Sequence, residues 1–177
     1  MAAIDVKFLL NEVGEMLVKA LADKWILQGH NLSGRLIRSI RSKSEIKARE
    51  IILELSGESY GNIVNRGVKP ENVPYSRGSG RRSSKFIEAL MRYVKRRGIT
   101  RNRKKQKQIA FAMANVMKKE GIPTKNSRRF SEDGTRTGAF ESVIMENEEQ
   151  IIRLFERRFG EGIEEIVFDL EREGEFV

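Results

Sequence analysis

The sequence predicts a small α+β protein: a hairpin-based antiparallel β-sheet packed with an N-terminal helix, a central helix pair and a long C-terminal helix. Three observations lead to that class. Apolar residues recur at spacings of three and four near both ends of the chain and twice in its middle. Between them Ile51, Leu53 and Leu55 alternate with other residues, the period of a half-buried strand. Glycines and prolines fall at the edges of these stretches, where helices and strands end.

The first helix is expected over residues 3–28. Val6, Leu10, Val13, Leu17, Leu21 and Trp25 form its stripe, with Asp5, Glu12, Glu15, Lys19 and Asp23 between them and Gly29 as its stop. Gly14 interrupts the pattern at a cost of about 1 kcal/mol relative to alanine. Ser33 offers a hydroxyl cap to a short helical turn that directs Leu36, Ile37 and Ile40 inward. Residues 40–46 and 49–56 then read as two strands joined by a tight polar connection. Ile51, Leu53 and Leu55 share one face, and Glu50 and Glu54 share the other with Ile52. Tyr60, Ile63 and Val64, between Gly57 and Gly67, suit a short helical or bent segment packing back on the hairpin.

Pro70, Pro74 and the Ser-Arg-Gly-Ser-Gly run at 76–80 mark an exposed loop. A helix is expected from Ser83 or Ser84 to Gly98, with Phe86, Leu90, Tyr93 and Val94 inward. A second follows Thr100 with Ile109, Ala112, Met113, Val116 and Met117 inward, stopped by Gly121 and Pro123. Residues 124–138 show no periodicity. The last helix is expected from near Glu146, with Asn147 as a cap. Its stripe is Ile151, Ile152, Phe155, Phe159, Ile163, Ile166, Val167 and Leu170, and Gly160 and Gly162 are places where it can bend. The organisation expected is one domain over 1–177, with 71–84 and 122–140 as extended loops or arms.

Of the 177 residues none is cysteine, which excludes disulfides and thiolate metal sites. A charged share of 33% against a hydrophobic share of 39% suits long solvated helix faces. No apolar run approaches a membrane span, and no signal peptide is expected at the N-terminus. The single histidine, His30, follows a helix stop and reads as a surface or capping residue. No Gly-x-Ser-x-Gly or Ser-x-x-Lys stands at a strand-to-helix junction, and the carboxylates near the C-terminus are spread around a helix. No catalytic set, no metal site and no cofactor are expected; a metal nuclease needs converging acids that this spacing does not supply.

Charge is divided along the chain. Residues 141–177 hold 12 acidic and 4 basic residues, so that a net charge of +9 overall leaves +17 on residues 1–140. Such a chain can attract its own copies head to tail, or meet an acidic partner with its basic part. The basic residues concentrate in 81–107, where Glu88 is the single acid. Arg81, Arg82, Arg96, Arg97, Arg101, Arg103, Lys104 and Lys105 are the candidate partner-facing or DNA-facing residues. Phe86 and Tyr93 fall on the apolar helix face and are not interleaved with these charges. Attraction to a phosphate backbone or an acidic protein surface is therefore expected ahead of base stacking. The alternative function this supports is a non-sequence-specific nucleic-acid-binding protein.

Ser-Gly-Arg-Leu-x-x-Ser-Ile at 33–40, two strands, and Tyr-Gly-Asn-Ile-Val-Asn-Arg-Gly at 60–67 resemble the bacteriophage tail-completion and head–tail connector family. The residues that carry the resemblance are Ser33, Gly34, Arg35, Leu36, Ser39, Ile40, Tyr60, Val64 and Gly67; Asn65 and Arg66 stand where the family has an acid–aromatic pair. Arg-Arg-Gly-Ile at 96–99, Ala-Phe-Ala-Met-Ala at 110–114, Lys-Lys-Glu-Gly-Ile-Pro-Thr at 118–124 and the run from Thr137 to Asn147 resemble segments of larger members. The resemblance implies a non-enzymatic α+β virion protein of the neck or tail, made in the host cytoplasm. It would form a ring of its own copies that joins portal or adaptor to the tail tube, around passing DNA and without a membrane. Such a ring requires two different patches of one surface to meet.

Overall fold

The computed structural model describes residues 6–47, 50–76 and 80–173, the side chains of 80–83 and 165–173 excepted. In order, it has α1 (Val6–Leu27), α2 (Arg35–Ser39), β1 (Arg41–Ile46), β2 (Ile51–Ser56), α3 (Gly61–Arg66), α4 (Gly80–Arg96), α5 (Arg103–Glu120) and α6 (Ala139–Glu173), with short 3-10 turns at Pro70–Asn72 and Lys125–Phe130. The α+β class is as expected, with a two-stranded antiparallel sheet, an N-terminal helix and a long C-terminal helix. Where length suggests a single domain, contacts group the residues into two compact units. The first contains Met1–Lys24, Arg38–Glu58 and Phe140–Val177; the second contains Trp25–Ile37 and Ser59–Ala139.

In the first unit α1 buries Leu9, Leu10, Val13, Leu17 and Leu21. The hairpin register sets Ser42 opposite Leu55, Ser44 opposite Leu53, and Ile46 opposite Ile51. One face of the sheet thus pairs leucines with small hydroxyl residues, and α1 comes close to it there. A Cβ on Gly14 would lie 2.7 Å from Ser42 Oγ, 2.8 Å from Ser42 Cβ and 3.2 Å from Leu53 Cδ1. One turn earlier Asn11 Oδ1 accepts a hydrogen bond of 2.8 Å from Ser44 Oγ. Gly14, which the sequence offers as a weakness in the helix, is the point where helix and hairpin meet.

The long helix α6 runs antiparallel to α1. Glu146 pairs with Lys24 at 2.8 Å, while Arg157 and Arg158 reach Glu12 at 3.7 and 3.4 Å. The two ends of this register lie about 18 Å apart along each helix. Ion pairs this exposed contribute about 0–1 kcal/mol each, so they fix register more than they stabilise. The helix starts at Ala139, well before the expected Glu146, and it buries Ala139 and Val143.

In the second unit α4 and α5 are joined by the short turn 97–102, and Val73, Tyr75, Ile87, Leu90, Ala110 and Ala114 form the core there. On α5 Met113 and Met117 pack against this core as expected and Ile109 is half-buried, but the most deeply buried positions are others. Gln106, Ala110 and Ala114 are buried, whereas Ala112 and Val116 are exposed. Small residues permit close approach to α4, and the buried Gln106 amide is satisfied by donating to the Thr100 carbonyl at 2.9 Å.

Neither segment expected to extend as an arm does so among the described residues. Val73 and Tyr75 lie in the core and α4 begins at Gly80; residues 77–79 of the expected loop lie outside the described residues. Residues 122–138 are tied down at both ends. Val68 and Ile122 exchange backbone hydrogen bonds of 2.6 and 2.8 Å, Glu132 N donates to Leu27 O, and Gly138 N donates to Asn65 O. The fully buried Gln28 gives its amide to Thr135 Oγ1 at 3.2 Å and to the Thr137 carbonyl at 3.0 Å. Polar residues without periodicity here mark a coil that bonds to its own unit.

Candidate functional site

Of the basic residues singled out from sequence, Arg96 ends α4, Arg97 and Arg101 lie in the turn, and Arg103, Lys104 and Lys105 open α5. These six are exposed. Arg81 and Arg82 lie in the first turn of α4, and their side chains fall outside the described ones. Asn102 caps α5 by accepting from Lys105 N at 3.1 Å. No acid occupies that first turn. Three cations therefore sit where the helix dipole disfavours positive charge, by about 0.3–1 kcal/mol apiece. Stability of α5 does not account for them. Arg97 is partly engaged: its guanidinium lies 5.6 Å from the Tyr93 ring centre and donates to Gly29 O at 3.4 Å.

Past the first turn, the exposed side of α5 carries Phe111, Ala112 and Val116, with Lys105 and Lys119 near its two ends. On α6 a different row is exposed. Met145, Ile152, Phe159 and Ile163 are 75%, 49%, 38% and 57% accessible, with Glu148 and Glu156 in the same row. The sequence expectation placed Ile152, Phe159 and Ile163 inward. Helical spacing alone does not distinguish a core stripe from an interface stripe, and here the inward row is the buried Val143 with the half-buried Asn147, Ile151, Leu154 and Arg158. Ile166, Val167 and Leu170 lie outside the described side chains.

The family-like residues have structural places. Ser33 Oγ accepts from Arg35 N at 3.4 Å, Gly34 takes φ 64°, and Arg35 opens α2. Leu36 and Ile40 are buried, and Ser39 Oγ accepts from Glu58 N at 3.0 Å. Gly67 ends α3 at φ 74°, where an added Cβ would collide with the Ile122 carbonyl. Ser33, Leu36, Tyr60 and Val64 also converge on a cavity of about 230 Å³ in the second unit. It shares His30, Val64, Tyr93 and Arg136 with a larger one of about 430 Å³, whose wall includes Ile63, Leu90, Met113, Met117 and Ile122.

His30 is thus a lining residue of both cavities and not simply the surface or cap residue expected. Its Nε2 lies 3.1 Å from the Arg136 carbonyl, and since a carbonyl only accepts, that nitrogen carries the hydrogen. Burial first, and the Arg136 charge after it, hold the imidazole below its ordinary pKa; the bond to the Arg136 backbone opposes them. Arg136 is likewise held below the ordinary arginine value, chiefly by burial. Its Nη1 donates to Ser127 O at 3.1 Å, while its Nε is buried without a hydrogen-bond partner among the described residues. Sequence gave no sign of Arg136, which stands in a stretch without periodicity.

Family models, curated proteins and solved structures give no match to this chain. Among the described residues, no group of three or more His, Cys, Asp or Glu side chains is placed to hold a metal ion. Nor is any described helix long and apolar enough to cross a membrane.

Proposed function

We propose that this chain is a structural subunit of a bacteriophage neck or tail, a head–tail connector or tail-completion protein that assembles as a ring of its own copies. The observation that carries the proposal is a pair of unlike exposed rows. Apolar residues alternate with glutamates on α6, and apolar residues lie between lysines on α5. One row on one copy complements the other row on the next. That is the heterologous contact a closed ring requires. Apolar contact supplies attraction and opposite charge supplies selection and a faster encounter. The sequence resemblance to the connector family gives the assembly its setting: portal or adaptor on one side, tail on the other, and the exposed cations of the α4–α5 turn toward passing DNA or an acidic neighbour. In this account the chain works by fitting against partners and carries no bond-breaking chemistry.

Mass spectrometry of purified particles, with antibody labelling in negative stain, tests the setting. The expected result is stoichiometric protein at the neck; a protein absent from intact particles overturns it. The exposed cations also favour a second reading, backbone binding of nucleic acid by the isolated chain. That reading predicts tight binding to unrelated duplexes, with affinity falling steeply as salt rises. Neutralising Arg96, Arg101, Lys104 and Lys105 should then abolish binding, whereas in a connector it should mainly weaken assembly.

A further inference from the structure

We infer that the two adjoining cavities of the second unit form a binding site for a small apolar carboxylate, an alkanoic or arylalkanoic acid. This goes beyond the assembly reading and does not depend on it. The larger cavity, about 430 Å³, falls within the range of small-ligand sites. Its apolar wall includes Val64, Leu90, Met113 and Met117. The methionines are flexible enough to fit chains of differing shape.

The polar groups lie where the cavities share their lining: His30, Tyr93 and Arg136 belong to both. Arg97 adds a cation to the smaller cavity and Arg129 one to the larger, and no Asp or Glu is among the residues lining either. His30, donating to the Arg136 carbonyl, contributes no positive charge when neutral. Arg136 is left half-buried with a buried, unpartnered Nε and no carboxylate beside it in the lining. A partly desolvated cation with no carboxylate beside it is costly, and an acid in the cavity supplies the missing counter-charge with charge-assisted hydrogen bonds. An apolar wall beside a cation selects an acid with a hydrocarbon body over inorganic anions.

Decanoate is the probe, titrated by calorimetry into the full chain while the methyl signals of Met113 and Met117 are followed by NMR. Saturable one-to-one binding is expected, with both methyl signals moving. Decan-1-ol, lacking the charge, should bind about ten- to a hundredfold more weakly, and R136Q should weaken decanoate by a similar factor. Inorganic phosphate should not move the methyl signals. Because Arg136 also holds Ser127 O, A89W provides a second variant: Ala89 is exposed and lines the larger cavity, so tryptophan there should obstruct its mouth without disturbing the core. Absence of saturable decanoate binding overturns the inference. So does equal affinity for decan-1-ol, or undiminished binding by folded R136Q and A89W together.

Discussion

Replacing Gly14 by alanine should destabilise the protein, although helix propensity alone says the opposite. Gly→Ala in a helix interior gains about 1 kcal/mol. Here the new methyl would stand 2.7 Å from Ser42 Oγ and 2.8 Å from Ser42 Cβ. The hydroxyl can rotate away, but Cβ moves only with the strand backbone. Overpacking of this kind costs about 1–3 kcal/mol, leaving a net loss of about 1–2 kcal/mol if the strand yields poorly. For a chain of this size that lowers Tm by roughly 2–8 °C. S42G removes both obstructing atoms and leaves Leu53 Cδ1 at 3.2 Å, the end of a side chain that can shift. In the S42G background, G14A should therefore be neutral or stabilising, with a coupling of about 1–3 kcal/mol in a double-mutant cycle followed by urea unfolding. If G14A stabilises the otherwise native chain, or the two substitutions simply add, α1 does not meet the hairpin as described.

Three other outcomes are expected. G67A should cost at least about 1–2 kcal/mol by urea unfolding, because its φ of 74° is left-handed and its methyl would meet the Ile122 carbonyl. Q28A should leave the Thr137 carbonyl without its donor, costing about 1–3 kcal/mol and speeding amide exchange of residues 131–138. Folding holds the His30 pKa below its ordinary value, about 6.5, so the unfolded chain binds the proton first as pH falls. Its contribution to stability is complete above about pH 6.5 and declines as pH drops from there through the lowered folded pKa. H30Q should flatten that part of the stability–pH curve.

Most of the fold was legible because its helices bury apolar residues at regular spacing: Leu10, Val13, Leu17, Leu21 and Trp25 all lie inward as the stripe predicts. The hairpin was legible from Leu53 and Leu55, which share a face with residues paired to serine. Where expectation failed, apolar character and burial had separated. The inner positions of α5 are two alanines and a glutamine, and hydrophobicity ranks Val116 above them although it is exposed. On α6 the apolar residues exceed what its own unit covers, so Ile152, Phe159 and Ile163 of the expected stripe face outward while Ile151 and Phe155 are half-buried. The cavity was not legible at all. His30, Val64, Tyr93 and Arg136 come from four separate segments, brought into one unit by long-range ties such as Gly138 N to Asn65 O and Gln28 to the Thr137 carbonyl.

The most direct test of assembly through unlike rows is sedimentation velocity on two variants with glutamine, a good helix former, at exposed positions. I152Q/F159Q disables the α6 row and K105Q/V116Q disables the α5 row, so each variant alone should remain folded and monomeric while the unaltered chain forms larger oligomers. Mixed in equal amounts, the two should combine through their one intact pair of rows into a one-to-one dimer and go no further. An unaltered chain that stays monomeric at every concentration, or variants that assemble as it does, would contradict the account.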